Sequence, residues 1–250
     1  MGGHGEGGGL EHSTWLHFLY AKHILPDWLP EMVPVTWFVI LILTSTAVLA
    51  SRRLRIREPG RFQSFLEFVV TSLDNFVRGI VGSEARTLTP IIGSIFVFIL
   101  SLNLIGLIPG FMSPTSNINT TVALALFAFA LVQFYGISRL GPLNYFKHFL
   151  GEPVWLSWLM FPIHIIGEIA RPLSLSIRLF GNIFGEETVI AILILIVVKV
   201  LLQMSGALYL PIQFPMMLLG IFTAFVQALV FSMLTGIYIA VAVAGHDEHH

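Results

Sequence analysis

The sequence predicts an all-α integral membrane protein: five membrane-crossing helices plus one interfacial amphipathic helix, the last two spans forming a long, steeply tilted hairpin. Three observations lead there. Apolar residues make up 56% of the 250 positions, charged residues only 11%, and mean hydropathy is +0.85. A soluble domain carries about 25% charged residues, so this chain has too few charges to cover a water-facing surface. Several apolar runs approach or exceed the roughly 20 residues that a helix needs to cross a hydrocarbon core about 30 Å thick. Finally, five of the ten arginines fall within one eleven-residue loop between apolar runs. This composition excludes a soluble enzyme, a disordered chain and a nucleic-acid binder. The net charge of −1 offers polyanions no attraction. With no cysteine there is no disulfide framework, thiolate metal site or cysteine nucleophile.

Residues 1–32 read as a segment on the outer side, and 33–250 as a single membrane domain. Met1 to Gly9 is Gly-rich and carries His4 and Glu6. It lacks the basic and apolar regions of a signal peptide, so anchoring is expected from internal spans. Residues 33–50 form the first span, with Pro34 at its mouth, where a missing N–H costs little. The loop SRRLRIREPGR follows, with Arg52, Arg53, Arg55, Arg57 and Arg61. Positive charge marks cytoplasmic loops, which puts the N-terminus outside.

Over 61–82, Phe62, Phe65, Leu66, Val69, Leu73, Phe76, Val77 and Ile80 recur at three- and four-residue steps among polar residues. That spacing predicts an amphipathic helix lying in the cytoplasmic interface. The second span is 90–111 and contains NLIGLIPG; the third is 119–140, with Arg139, Lys147 and His148 beyond it on the cytoplasmic side. Residues 156–198 are 43 positions without an obvious loop. As one helix they would be about 65 Å long, twice the hydrocarbon thickness, so the segment must tilt, break or lie partly along the membrane. Residues 206–243 form the other arm, interrupted early by Pro211 and Pro215. Between Glu187 and His246 the one charged residue is Lys199, at the expected turn. The C-terminus then falls inside. No internal repeat is evident, which disfavours an inverted-repeat transporter.

Charges inside a membrane are costly and mark ion or substrate pathways. Here they gather in one segment, as His164, Glu168, Arg171, Arg178, Glu186 and Glu187. On a helix turning 100° per residue, His164, Arg171, Ser174, Asn182 and Glu186 lie on one face within about 80° of Arg178, Glu168 at its edge and Glu187 opposite. A polar stripe on so apolar a segment faces a protein partner or water. Arginine is never deprotonated in proteins, so Arg178 relays no protons but competes for a partner's carboxylate. The alternative is a buried ion pair between Arg178 and Glu168 or Glu186, a poor stabiliser for its cost.

The segment ARPLSLSIRLFGNIFGEE, Ala170 to Glu187, resembles the a subunit of the F-type ATP synthase membrane sector (Fo), bacterial type. NLIGLIPG (Asn103 to Gly110), PTSNINTT (Pro114 to Thr121) and FVQALVFSMLTGIYI (Phe225 to Ile239) resemble further motifs of that family in the same order, and the resemblance runs from about Glu67 to Ala244. It implies a stator subunit whose tilted hairpin wraps a rotating c-subunit ring. Two offset half-channels would deliver protons to and from the ring carboxylate, coupling proton flow to rotation and ATP synthesis. Arg178 falls on the family's indispensable arginine, which prevents a short circuit. Gln227 falls on its last-helix glutamine and Glu187 on its half-channel acid. Seven residues before Gln227, where many relatives have an ionisable group, this chain has Gly220; Glu186 is a candidate substitute. His164 replaces a carboxylate common in relatives and, with Glu168, is a candidate for the cytoplasmic half-channel, its ordinary pKa near 6.5 suiting proton exchange. Asn182, Ser174, Asn103 and Asn119 are candidate lining residues; each could instead serve packing, and the last two capping. Tyr238 reads as an ordinary membrane aromatic.

The resemblance also implies the partners: the c-subunit ring, the b-subunit peripheral stalk, the rest of the ATP synthase and the lipid of a bacterial inner membrane, with no nucleic acid. No cofactor or metal is expected. No P-loop, GxSxG or HExxH occurs, so ATP chemistry is expected on another chain. The terminal HDEHH reads as a solvated tail. A sodium-translocating version of the subunit, a secondary transporter binding an anion at Arg178, and a purely structural assembly subunit are the competing expectations. The lack of a sodium-ligand cluster favours protons.

Overall fold

The computed structural model describes residues 30, 32–52, 60–82, 85–108, 111–142, 157–203 and 213–244. The expected outer segment, apart from its last residues, lies outside this range. So do most of the basic loop, Lys147, His148, the turn with Pro211 and the HDEHH tail. The described residues form six long helices: α1 (Met32–Arg52), α2 (Arg61–Val81), α3 (Ala85–Ile105), α4 (Ile118–Leu140), α5 (Ser157–Gln203) and α6 (Gln213–Ala244), with a 3-10 turn at Pro114–Ser116. The class is all-α, as the composition predicts. Among the described residues, four helices are long and apolar enough to cross a membrane, over Met32–Arg52, Ala85–Ile105, Ile118–Arg139 and Phe214–Ala242. α5 is one continuous helix of 47 residues, with Pro162 and Pro172 inside it.

Helices α3, α4, α5 and α6 meet in the main core. Ile95, Phe96 and Ile99 pack with Ala125, Ala128, Leu175, Leu179, Ile183, Ala228 and Phe231. The alanines let backbones approach closely, which is how helices associate where lipid is as apolar as leucine. α5 and α6 run antiparallel: Asn182 meets Gln227, Glu186 meets Thr223, and Arg171 meets Tyr238. α1 leans on the far end of α3, where Val35 and Val39 meet Leu102 and Ile105.

α2 divides its apolar residues. Val77 is buried among Ala85, Leu88, Ile92, Val132 and Ile239, whereas Phe62, Phe65 and Phe68 are exposed. Asp74 ties α2 to α3. It accepts from the Thr89 hydroxyl at 2.8 Å and from the Arg78 side chain at 2.7 Å. These bonds, Thr89's first, hold its carboxyl below the usual range.

α3 differs at both ends from the expected second span, 90–111. It starts at Ala85 because Ala85 and Leu88 are buried against α2 and Thr89 bonds Asp74, contacts that hydropathy does not register. It ends at Ile105 because the chain turns at Gly106, where the Leu107 and Ile108 N–H groups donate only three residues back. α4 is capped by Asn117, whose side chain accepts from the Asn119 N–H at 2.9 Å.

Candidate functional site

With Arg178 at zero, the buried Leu175, Leu179, Ile183 and Ser176 sit at about 60° to 160° around α5, Asn182 and Glu186 at about 40° and 80°, and Glu187 at about 180°. The packed face of α5 therefore has two polar margins, one carrying Arg178 and the other Glu187.

On the first margin Arg178 is exposed. Among the described residues no carboxylate or hydrogen-bond acceptor engages it. Both candidate internal partners are committed elsewhere. Glu168 forms a salt bridge with Arg171, and Glu186 Oε2 accepts from the Thr223 hydroxyl at 2.6 Å. An internal ion pair at Arg178 is thereby ruled out among the described residues. One turn on, the Asn182 amide donates to Gln227 Oε1 at 2.7 Å. Gln227 is 2% exposed, and its Nε2 has no partner among the described residues. An orphaned buried donor costs about 1–3 kcal/mol, so Gln227 holds an unused hydrogen-bonding group one helical turn from Arg178's level.

Gly220 and Glu186 share one space. A Cβ at Gly220 would stand 2.0 Å from Glu186 Oε1 and 2.8 Å from Leu107 Cδ2. The Glu186 carboxylate thus fills the place a side chain at 220 would take.

On the opposite margin, Glu187 Oε1 accepts the Ser113 N–H at 2.9 Å. Ser113 Oγ lies 2.7 Å from Thr115 Oγ1 and 2.9 Å from the Leu102 carbonyl; Thr115 Oγ1 lies 2.7 Å from Asn103 Oδ1. Two hydroxyl protons thus face three contacts, so one contact is always unmade and the pair can reorient. Asn103 is 3% exposed and reaches toward the Ala224 carbonyl at 3.5 Å. Thr121 and Ser176, both buried, join α4 to α5 at 3.2 Å.

The loop needs glycine at 106. A Cβ there would meet Ser113 Cβ at 2.6 Å, Glu187 Oε1 at 3.0 Å and Ser113 Cα at 3.1 Å. Gly106→Ala is expected to destabilise the protein by about 1–3 kcal/mol, read as a lower thermal unfolding temperature in detergent. A variant melting with the native protein would mean that the loop shifts freely.

The N-terminal part of α5 holds a third group. Glu168 Oε2 accepts from the Gln133 amide at 2.9 Å while its Oε1 engages Arg171, and the Arg171 guanidinium carbon lies 5.0 Å from the Tyr238 ring centroid. Tyr238 is thus a partner of a stripe residue, not simply a membrane aromatic. His164, half-buried, stands one turn before Glu168. Ser174 and Asn119 are exposed, and the structure brings neither into these groups. The sequence reading does not reach Ser113, Thr115, Thr223, Gln133 and Tyr238, which the structure brings into contact with these groups. Ser113 and Thr115 sit in or beside the PTSNINTT motif, the one signal that could have found them.

Fold and site together define an all-helical protein, with four described helices long and apolar enough to cross a membrane, whose longest helix carries fixed and titratable charges along two margins. The sequence matches the family described as ATP synthase A chain over residues 33–240. It is 45% identical over 214 residues to a protein named ATP synthase subunit a from Desulfosudis oleivorans, covering 86% of both chains. A protein of that name from Syntrophobacter fumaroxidans is 45% identical over 84% of this chain and 83% of its own. ATP synthase subunit a 2 of Syntrophotalea carbinolica is 42% identical over 94% of both. The chain belongs to the ATP synthase A chain family, the a subunits of the Fo sector, which are membrane components of that complex and not enzymes on their own.

Proposed function

We propose that this chain is the proton-conducting stator subunit of an F-type ATP synthase, with Arg178 as the fixed charge that meets the carboxylate of a c-subunit ring. The observation that carries the reading is the state of Arg178: exposed, unable to lose its charge, and without an acceptor among the described residues. A guanidinium in lipid surroundings needs a partner. The two internal carboxylates that could have supplied one are engaged, so the partner belongs to another chain.

On this reading the chain crosses a bacterial inner membrane five times, with α5 and α6 as the tilted hairpin, the N-terminus outside and the C-terminus in the cytoplasm. The domain division proposed is the outer segment 1–32 and one membrane domain, 33–250. α2 lies in the cytoplasmic interface, its exposed phenylalanines toward lipid. The b-subunit stalk and the rest of the complex hold the chain against rotation. Glu187, with Ser113, Thr115 and Asn103, borders the outer half-channel, and Asn119 lies near its mouth. The reorientable hydroxyl pair suits a path along which protons are handed on. Gln227, Asn182 and Glu186 shape the surroundings of Arg178. His164 and Ser174 belong to the cytoplasmic half, with Glu168 beside them.

The test is ATP-driven transport in inverted membrane vesicles containing the assembled complex. Acidification of the lumen without added sodium is the expected result. Sodium uptake in place of acidification would establish the sodium-translocating version. An isolated chain that takes up an anion saturably, with no ring co-purifying, would replace this reading with a transporter.

A further inference from the structure

Arg171 and Arg178 are two turns apart on one face of α5, about 10 Å along its axis, yet they are held differently. Arg178 is exposed and has no acceptor among the described residues. Arg171 is matched on two sides: Glu168 pairs with its guanidinium, and the Tyr238 ring lies 5.0 Å from its central carbon. Glu168 is in turn held on both oxygens, by Arg171 and by the Gln133 amide at 2.9 Å. Three helices, α4, α5 and α6, thus contribute to one neutral assembly. Beside it lies a cavity of about 10 Å³, lined in part by Glu168, Arg171, Thr235 and Tyr238, with room for a single water.

We infer that Glu168 is a positioning residue that cancels the charge of Arg171, so that Arg178 alone meets the ring carboxylate as an uncompensated cation. The inference rests on the proposed function above. A carboxylate passing along α5 meets one attractive charge. Unmask Arg171 and it meets two in succession, and the second holds it ionised where it should take up or release a proton on the cytoplasmic side. The geometry separates this role from proton carriage. A carrier needs an oxygen open to water, whereas both Glu168 oxygens are bonded within the chain. The carrier role suits His164, half-buried one turn away.

The experiment compares native, Glu168→Gln and the double variant Glu168→Gln with Arg171→Gln, as complexes of equal assembly in inverted vesicles. Glu168→Gln is expected to slow ATP-driven acidification about tenfold. The double variant, which removes both charges, is expected to pump within about threefold of native, a rescue that independent sites would not produce. A double variant no better than the single, or a single variant equal to native, overturns the inference. If Glu168→Gln does not assemble, the double variant decides alone: near-native pumping supports the neutraliser, and assembled complexes that do not pump make Glu168 a proton carrier instead. Failure of the native complex to pump would overturn the proposed function itself, a different result from any of these.

Discussion

Replacing Arg178 with alanine abolishes ATP-driven acidification of inverted vesicles while the complex assembles as before. The two halves of this expectation come from the same observation. Because Arg178 is exposed and engages no acceptor among the described residues, its removal breaks no contact described within the chain. Substitutions of that kind usually change stability by less than about 0.5 kcal/mol. The functional loss should be large, about a hundredfold or more, as when a preorganised group facing a developing charge is deleted. A second readout sharpens the test. With no fixed cation between the half-channels, a proton can cross without turning the ring, and each loses about 2.3 kcal/mol per 100 mV uselessly. De-energised vesicles carrying Arg178→Ala should therefore dissipate an imposed pH gradient faster than native ones. Native pumping by the variant would sink the mechanism, and Arg178 would be an ordinary surface arginine. Failure to assemble would make it a structural contact to a neighbouring subunit.

The parts of this architecture that hydropathy and charge reveal are those set by solvent. The long apolar runs became α1, α3, α4 and α6, and the one-sided polar stripe on α5 was visible from spacing because a 47-residue helix keeps its period. Contacts between distant segments were not legible. Ala85 to Thr89 looks like loop until Val77 and Asp74 are brought against it. Gly220 read as a missing ionisable group; only the antiparallel alignment of α5 and α6 reveals that Glu186 occupies its space. Tyr238 looked generic because nothing local signals that Arg171, 67 positions away, lies over its ring. Ser113 and Thr115 are small hydroxyls in a short loop, a pattern that suits any turn; their meaning comes from Glu187 and Asn103 on either side. In each case one partner was in view and the pairing was tertiary.

Glu187→Gln should block transport by a different route and leave a different signature. The glutamine side chain has nearly the same shape, and its amide oxygen can accept the Ser113 N–H that now lies 2.9 Å from Glu187 Oε1. The close approach at Gly106, where Glu187 Oε1 helps fill the space, is also preserved. What the substitution removes is the ability to bind and release a proton. If Glu187 exchanges protons with the ring from the outer half-channel, ATP-driven acidification falls about tenfold or more, since general acid–base groups contribute about 10²–10⁴ to the steps they serve. Arg178 remains in place, so de-energised vesicles should hold a pH gradient as well as native ones. A blocked but tight Glu187→Gln beside a leaky Arg178→Ala would place proton delivery and short-circuit prevention on the two opposite margins of α5. Unimpaired pumping by Glu187→Gln would reduce Glu187 to an acceptor that anchors the Ser113 loop, and proton entry would have to be sought at Glu186, the other carboxylate at that level of the helix.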